Sequence, residues 1–290
     1  MLNYGKKTLI AATTAVTMAA APASAQTVEI GWTAWSDAEF VTKLARQVLE
    51  ERVGEDVKLT QTDIAPQYQG VAQGDIDVML MSWLPGTHSD YMKQVEGKTV
   101  SLGILYDHAR LGWVVPKYMN VDSISDLKSK EMAEKLDGTI TGIDPGAGLT
   151  RLSKKAIKDY GLGDMYDLQT SSGAGMTAAL KRAVKREEPI VVTGWSPHWK
   201  FGAYDLKYLK DPKNTLGSFE RIHAIAREGF YQENIDAAMT LSRMYIPLDD
   251  LQAAMYDAQE TSYEEAVDKY IENNEARVHY WATGEMPDQG

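Results

Sequence analysis

The sequence contains no cysteine among its 290 residues. This absence excludes disulfide bonds, thiolate zinc sites, iron–sulfur clusters and cysteine nucleophiles. It also excludes the acylated cysteine that anchors a lipoprotein. Basic residues are scarce as well, because 30 Lys and Arg stand against 41 Asp and Glu and the net charge is −11. Binding to nucleic acid or to an anionic membrane surface needs clustered Lys and Arg, so neither partner is expected.

Motifs of catalysis are also missing. The sequence has no G-x-x-x-x-G-K-[ST] phosphate loop, no H-E-x-x-H metal motif and no G-x-S-x-G nucleophile elbow. Its five histidines show no metal-ligand spacing, so we predict neither a metal nor a cofactor. Nothing in the sequence requires an enzyme, and a Ser/His hydrolase that uses Ser36 or Ser196 remains the weaker alternative.

The first 25 residues differ in composition from the rest of the chain. A basic pair, Lys6 and Lys7, precedes small and apolar residues over 8–21, and an Ala-Ser-Ala cleavage signal follows at 23–25. A membrane anchor needs about 20 strongly apolar residues, whereas this stretch contains four threonines. We therefore predict a cleaved signal peptide over 1–25 and a periplasmic protein without a lipid anchor.

From residue 27 onward, strand and helix patterns alternate. Strand patterns cover 28–32, 57–60, 76–81, 139–144, 168–171 and 190–193. Apolar residues recur at helical spacing between them, for example at Phe40, Leu44 and Val48 before a stop at Gly54. Strands separated by helices of this length predict right-handed βαβ units in a parallel sheet. After about Glu233 the pattern is helical only.

Two extended segments, 111–115 and 222–227, predict connections between two α/β units. We therefore expect an α/β fold with two lobes, 27–111 plus 222–290 and 112–221. Each lobe is expected to be a mostly parallel sheet flanked by helices. The predicted ligand site is the cleft between the lobes, since ligands bind at the carboxyl ends of the strands.

Three tryptophans follow predicted strands in both lobes. Trp35 comes after the first strand, Trp83 after 76–81 and Trp195 after 190–193. Their placement predicts a shared aromatic pocket, although packing explains each tryptophan taken alone. Aromatic boxes bind quaternary ammonium by cation–π attraction, at roughly 2 kcal/mol for a desolvated contact. The remaining tryptophans are assigned to packing; they are Trp32, Trp113, Trp199 and Trp281.

A glycine-rich turn over 142–150 joins a strand to a helix. The free backbone N–H groups and the dipole of such a helix start bind an anion. Because no Lys-[ST] pair is present, one carboxylate is a better candidate than a polyphosphate, although an ordinary tight turn remains open. His88, five residues after Trp83, either adds a donor or is structural. Together these features predict a ligand with a weakly hydrated cation at one end and a carboxylate at the other.

The same residues resemble the glycine betaine-binding proteins of ABC importers. The resemblance covers essentially all of the chain after residue 25. It is carried by WSDAEF around Trp35, Trp83-Leu84-Pro85-Gly86-Thr87-His88, Gly142-Ile143-Asp144-Pro145-Gly146-Ala147-Gly148 and Thr193-Gly194-Trp195-Ser196-Pro197-His198-Trp199. It implies the fold of the two-lobed periplasmic receptors that close around their ligand. Some relatives carry the two halves in the opposite chain order, which makes the lobe boundaries less certain.

The resemblance also implies a role for each site residue. Trp35, Trp83 and Trp195 form a prism of rings around a trimethylammonium group. The ligand carboxylate is bound by the side chain of His88 and by the backbone amides of Gly148 and Leu149. Some members have isoleucine at the position of Leu149, a change that a backbone contact tolerates.

The function implied is that of an extracytoplasmic receptor for glycine betaine or a close quaternary ammonium or sulfonium zwitterion. The receptor delivers this osmoprotectant to the permease and ATPase of an ABC importer, which are other chains, and does no chemistry on it. We expect a monomer. A sugar receptor is the alternative, since tryptophan also stacks on pyranose rings, but the tryptophans are flanked mostly by Leu, Pro, Gly and Ser.

Overall fold

The computed structural model describes Met1 and residues 27–286. The predicted signal peptide over 1–25 therefore lies, apart from Met1, outside the described residues. The strands are β1 (Val28–Trp32), β2 (Val57–Gln61), β3 (Val78–Leu84), β4 (Thr99–Pro116), β5 (Thr139–Thr141), β6 (Asp167–Gln169), β7 (Val192–Ser196), β8 (Leu206–Tyr208) and β9 (Glu220–Arg227). They form a mixed sheet in the order β2-β1-β3-β9-β4-β7-β5-β6, with β8 paired to β4.

Helices cover both halves of this sheet. They are α1 (Ser36–Val48), α2 (Ile64–Gln73), α3 (Ser89–Gln94), α4 (Lys130–Lys135), α5 (Gly148–Asp159), α6 (Gly173–Arg186), α7 (Lys200–Ala203), α8 (Phe230–Glu233), α9 (Ile235–Arg243), α10 (Leu248–Glu260), α11 (Tyr263–Asn273) and α12 (Glu275–Thr283). A π-helical turn, Leu49–Val53, continues α1, and a 3₁₀ helix spans Ile124–Lys128. Within residues 27–286, no helix combines the length and apolar character needed to cross a membrane.

The two halves of the sheet repeat one topology. We name as lobe 1 the half of the sheet that contains β1, β2, β3, β9 and residues 99–109 of β4, and as lobe 2 the half that contains β5 to β8 and residues 110–116 of β4. Parallel strands run in the order β2-β1-β3 in lobe 1 and β6-β5-β7 in lobe 2. The first strand of each βαβαβ unit is thus central. The loops that follow β1 and β5 consequently lie at corresponding places in the two lobes.

The long strand β4 passes from one lobe to the other. It pairs with β9 as far as Ala109 and with β7 from Arg110 onward, antiparallel in both cases. The predicted connections 111–115 and 222–227 therefore lie within β4 and β9. The parallel pairing expected from the sequence holds for the βαβ units. The long strand β4, in contrast, pairs antiparallel with β9 and with β7. The division at 111/112 and 221/222 stays a prediction.

Burial explains why these segments form these elements. The first six residues of β3 are all buried, as expected for an apolar strand covered on both faces. In α1, Phe40, Leu44 and Val48 form a buried stripe, and the helical segment ends at Gly54 with φ +87°. Helix α5 ends in the same way before Gly161, whose φ is +63°. Left-handed backbone of this kind favours glycine.

The C-terminal helices belong to lobe 1. Helices α10 and α11 pack against α1, while α9 packs against β4 and α12 against α9. The segment after Glu233 is helical as predicted, since α9 to α12 account for nearly all of it up to Thr283. Helix α10 also contacts α7 of lobe 2.

Candidate functional site

A cavity lies between the two lobes. All six predicted site residues line it, namely Trp35, Trp83, His88, Gly148, Leu149 and Trp195. Sequence reasoning missed the other residues of its wall, which are Thr87, Leu111, Ile143 and Ala147. The cavity therefore suits a small ligand with a large apolar surface.

The three tryptophans reach the cavity from different elements. Trp35 lies in the loop between β1 and α1, whereas Trp83 lies within β3 and Trp195 within β7. The prediction that Trp83 and Trp195 come after their strands was wrong. Each strand continues beyond its tryptophan because it pairs with a strand from a distant part of the chain, β9 for Trp83 and β4 for Trp195.

The rings are nearly buried and enclose the cavity at an angle to one another. Trp35, Trp83 and Trp195 are 7%, 3% and 4% exposed. The ring centroids of Trp35 and Trp195 are 6.4 Å apart, with 58° between the ring planes. A cation is attracted by an aromatic ring within about 6 Å of its centroid. This spacing allows one small cation to contact both faces.

The Nε1–H groups of two of these rings donate hydrogen bonds to the opposite lobe. Trp35 donates its Nε1–H to Asp144 Oδ2 of lobe 2 over 2.8 Å. Trp195 donates its Nε1–H to Asp37 Oδ1 of lobe 1, also over 2.8 Å. Asp37 accepts a further hydrogen bond from Tyr106. Burial raises the pKa of Asp37, although these two donors act in the opposite direction.

His88 is fully enclosed and presents one donor. Its Nδ1 accepts a hydrogen bond from the Trp83 backbone N–H over 3.1 Å. Burial lowers the pKa of His88 to about 3, and the positive charge of Arg151 acts in the same direction. The imidazole is therefore neutral near pH 7. Because Nδ1 is the acceptor, we assign the single ring proton to Nε2.

A helix start provides the second set of donors. Helix α5 begins at Gly148, so its first backbone N–H groups have no partner within the helix. The Asp144 carbonyl shapes the preceding turn by accepting from the Ala147 N–H over 3.1 Å and from Thr150 Oγ1 over 2.7 Å. Gly148 and Leu149 are both buried beside the cavity. Their amides can bind an anion there.

Gly148 also brings the two lobes into close contact. A Cβ atom at this position would lie 2.6 Å from the Thr87 carbonyl oxygen of lobe 1. Nearby, Arg151 donates to the same carbonyl over 3.0 Å and Tyr91 donates to the Gly146 carbonyl over 2.8 Å. Glycine is thus required for the start of α5 to approach lobe 1 this closely.

The loop that carries Thr87 and His88 is anchored by Glu220. Both the Gly86 and the Thr87 backbone N–H groups donate to Glu220 Oε2 over 2.9 Å, and the Thr87 hydroxyl donates to its other oxygen. Glu220 is the first residue of β9. The loop is therefore fixed to a strand at the boundary between the lobes.

The geometry gives little support to the hydrolase alternative. The Ser196 hydroxyl pairs with the Tyr208 hydroxyl over 2.7 Å, and Ser36 Oγ has no hydrogen-bond partner. Neither hydroxyl is hydrogen-bonded to a histidine. Within residues 27–286, no group of three or more His, Asp or Glu side chains is placed to hold a metal ion.

The other four tryptophans lie outside the cavity wall. Trp113 and Trp281 are fully buried, with exposures of 0% and 1%. Trp199 borders a second crevice behind the rings of Trp35 and Trp195. Packing accounts for the two buried rings, and Trp199 contacts the site only through its neighbours.

Comparison with known proteins identifies relatives of this chain. The family model described as the substrate binding domain of ABC-type glycine betaine transport system, OpuAC, matches residues 26–273. The glycine betaine/carnitine transport binding protein GbuC of Listeria monocytogenes is 44% identical over 53% of this chain. That match spans about half of the relative's own length (52%).

Solved structures match over a larger part of the chain. The lactococcal OpuAC in its closed, glycine betaine-bound conformation is 39% identical with a TM-score of 0.83, and the match covers 89% of this chain and all of that one. The glycine/betaine/L-proline-binding protein ProX of Borrelia burgdorferi is 32% identical with the same TM-score, over 89% and 97% of the two chains. The predicted two-lobed receptor fold is confirmed, and the chain belongs to the OpuAC family of ABC-type substrate-binding domains.

Proposed function

We propose that this protein is the extracytoplasmic receptor of an ABC importer and that it captures glycine betaine or a close quaternary ammonium or sulfonium zwitterion. The observation that carries the proposal is the cavity between the lobes, where three tryptophan faces meet one neutral histidine and one helix start. A zwitterion with a methylated cation and a carboxylate matches both ends of this cavity.

The cation is proposed to lie among Trp35, Trp83 and Trp195. A trimethylammonium group has no N–H donor, so it needs no acceptor inside the cavity and is weakly hydrated compared with ammonium. Ring faces attract such a cation by about 2 kcal/mol per desolvated contact. The indole N–H groups of Trp35 and Trp195 are bonded elsewhere, so only the faces of these two rings are available to a ligand.

The carboxylate is proposed to be bound by His88 and by the amides of Gly148 and Leu149. The Nε2–H of a neutral imidazole donates one hydrogen bond, and the start of α5 donates others along the positive end of its dipole. Hydrogen bonds to a charged acceptor are shorter and stronger than neutral ones. The site therefore needs no Lys or Arg side chain in the cavity wall, and none is present there.

The relatives support the biological role. Two of them are named for binding glycine betaine, and the lactococcal structure contains it. We propose that this chain is exported by a cleaved signal peptide over 1–25, acts as a periplasmic monomer without chemistry on the ligand, and delivers it to a permease and an ATPase that are separate chains.

Calorimetric titration of the purified protein tests this function. We expect saturable binding of glycine betaine by the parent protein. Trp83→Leu keeps apolar volume but removes one ring face, so betaine should bind about thirtyfold more weakly, the equivalent of about 2 kcal/mol. Trp281→Leu removes an equally buried ring far from the cavity, and its affinity should stay within about threefold of the parent.

A sugar receptor is the competing function. It would bind a panel of pyranoses and would not bind glycine betaine. Its carbohydrate ligand would require polar side chains beside the rings. Apart from the tryptophans, only His88 and Thr87 have polar side chains in the wall of this cavity. The other lining residues are Leu111, Ile143, Ala147, Gly148 and Leu149. If calorimetry shows a heat of binding for a sugar but none for glycine betaine, the sugar receptor replaces our proposal.

A further inference from the structure

The two hydrogen bonds from indole nitrogens cross the cleft in opposite directions. Trp35 belongs to lobe 1 and donates to Asp144 of lobe 2, while Trp195 belongs to lobe 2 and donates to Asp37 of lobe 1. Each lobe thus supplies a ring to the cavity and an acceptor for the ring of the other lobe. Neither aspartate is among the residues that line the cavity.

An acceptor in the plane of an indole controls the direction of the ring face. The N–H group lies in the ring plane, so rotation of the ring breaks the hydrogen bond and turns the face away from the cavity. Trp35 and Trp195 are nearly buried, and an indole N–H that loses its partner in such surroundings is unfavourable. The bonded orientation is therefore selected only while the aspartate of the other lobe is within reach.

Asp144 additionally connects the two ends of the site. Its side chain accepts from Trp35, and its carbonyl accepts from the Ala147 N–H and the Thr150 hydroxyl in the turn that starts α5. The residue that fixes a ring of the cation site therefore also belongs to the turn that presents amides to the carboxylate. A shift of lobe 2 moves both.

We propose that Asp37 and Asp144 are positioning residues that orient the rings of Trp195 and Trp35 when the lobes meet. This inference rests on the proposed function. In this inference the cation site is complete only when the lobes are in contact. The reason is that the ring of each lobe is hydrogen-bonded to an aspartate of the other lobe. Asp144 acts as a hydrogen-bond acceptor, so an amide oxygen at the same place serves equally well.

A double-mutant cycle on Trp35 and Asp144 tests the inference. Asp144→Leu should weaken glycine betaine and choline by about tenfold each, since both ligands carry the trimethylammonium group that the ring contacts. Asp144→Asn keeps an acceptor and should bind within about threefold of the parent. Trp35→Phe keeps a ring without an N–H, and in that background Asp144→Leu should change the affinity by less than about threefold.

A matched control removes the acceptor of a buried tryptophan elsewhere. Trp113 donates to Ser153 Oγ over 3.0 Å inside lobe 2, so Ser153→Ala should leave betaine affinity unchanged. The inference is overturned if Asp144→Leu binds like the parent, if Asp144→Asn loses as much as Asp144→Leu, or if the loss persists with Trp35→Phe. A parent protein that binds no betaine at all would instead overturn the proposed function.

Discussion

His88 illustrates how burial decides what a single side chain can do. An exposed histidine is half-protonated near pH 6.5, and an imidazolium would be an obvious partner for a carboxylate. Here burial lowers the pKa of His88 to about 3, so we propose that the neutral ring donates to the carboxylate from Nε2 instead. A neutral donor avoids burying a charge in the ligand-free protein.

The affinity for glycine betaine should consequently be independent of pH between 6.5 and 8.5. His88 is neutral throughout this range because its folded-state pKa of about 3 lies far below it, and no proton is taken up or released by this ring. Titration calorimetry at several pH values should give dissociation constants within about threefold of one another. If His88 bound as an imidazolium, affinity would instead fall by up to about tenfold for each pH unit above 6.5.

At the scale of elements, the start of α5 is constrained by two roles. It provides the proposed amide donors, and it also touches lobe 1 at Thr87 through Gly148. A side chain at this position would collide with a backbone carbonyl, which cannot move aside as a flexible side chain can. The glycine is thus required by the contact between two lobes as well as by the turn.

Gly148→Ala should weaken glycine betaine by at least about tenfold, since the added Cβ keeps the helix start away from Thr87 and separates the two halves of the site. Affinity from calorimetry and folding from circular dichroism would be measured together. Gly146→Ala is the control, because a Cβ at Gly146 would meet no atom within 4 Å. Equal affinities for the two variants would show that the approach of α5 to Thr87 does not matter for binding.

The sequence predicts those helices whose apolar spacing and glycine stop lie within one short segment. The buried stripe of α1 and its stop at Gly54 follow from spacing alone, and so do α5 and its stop at Gly161. The extent of β3 and β7 does not, because their last residues are strand only through pairing with β9 and β4. For the same reason the sequence predicts only residues 111–115 of the 18-residue strand β4.

The same limit applies to the site. Recognisable motifs contain all six predicted site residues, namely Trp35, Trp83, Trp195, His88, Gly148 and Leu149. Asp37 and Asp144 lie within those motifs, yet the hydrogen bonds that we propose as their role join them to partners 158 and 109 residues away. No spacing rule connects residues at such separations, so the hydrogen bonds across the cleft could be found only in the folded protein.

For the whole molecule, the repeated βαβαβ topology has a functional consequence. Each lobe supplies only part of the candidate site. The two lobes are joined by β4 and by the segment that leads from β8 into β9. Binding should therefore draw the lobes together. We expect the hydrogen bonds of Trp35 and Trp195 to the opposite lobe to form in the same movement.

Small-angle scattering should show a smaller radius of gyration with saturating glycine betaine than without ligand. The expected cause is the closure of two bodies about their connecting strands, because the site is complete only when they meet. The same measurement with a pyranose that does not bind serves as the control. An unchanged radius would indicate a rigid, preformed pocket and would contradict closure.

The central claim is that an aromatic cage selects a methylated cation, and affinity across glycine, N-methylglycine, dimethylglycine and glycine betaine tests it most directly. All four carry a carboxylate and a positive nitrogen, and each step of the series replaces one N–H by one N-methyl group. An N–H without an acceptor costs about 1–3 kcal/mol, and each methyl adds about 0.8 kcal/mol of apolar burial. Calorimetry should show a steep rise, with at least about tenfold gained at the final methyl and glycine essentially unbound. A flat series, or tightest binding of dimethylglycine, would reveal an acceptor inside the cage and contradict the account.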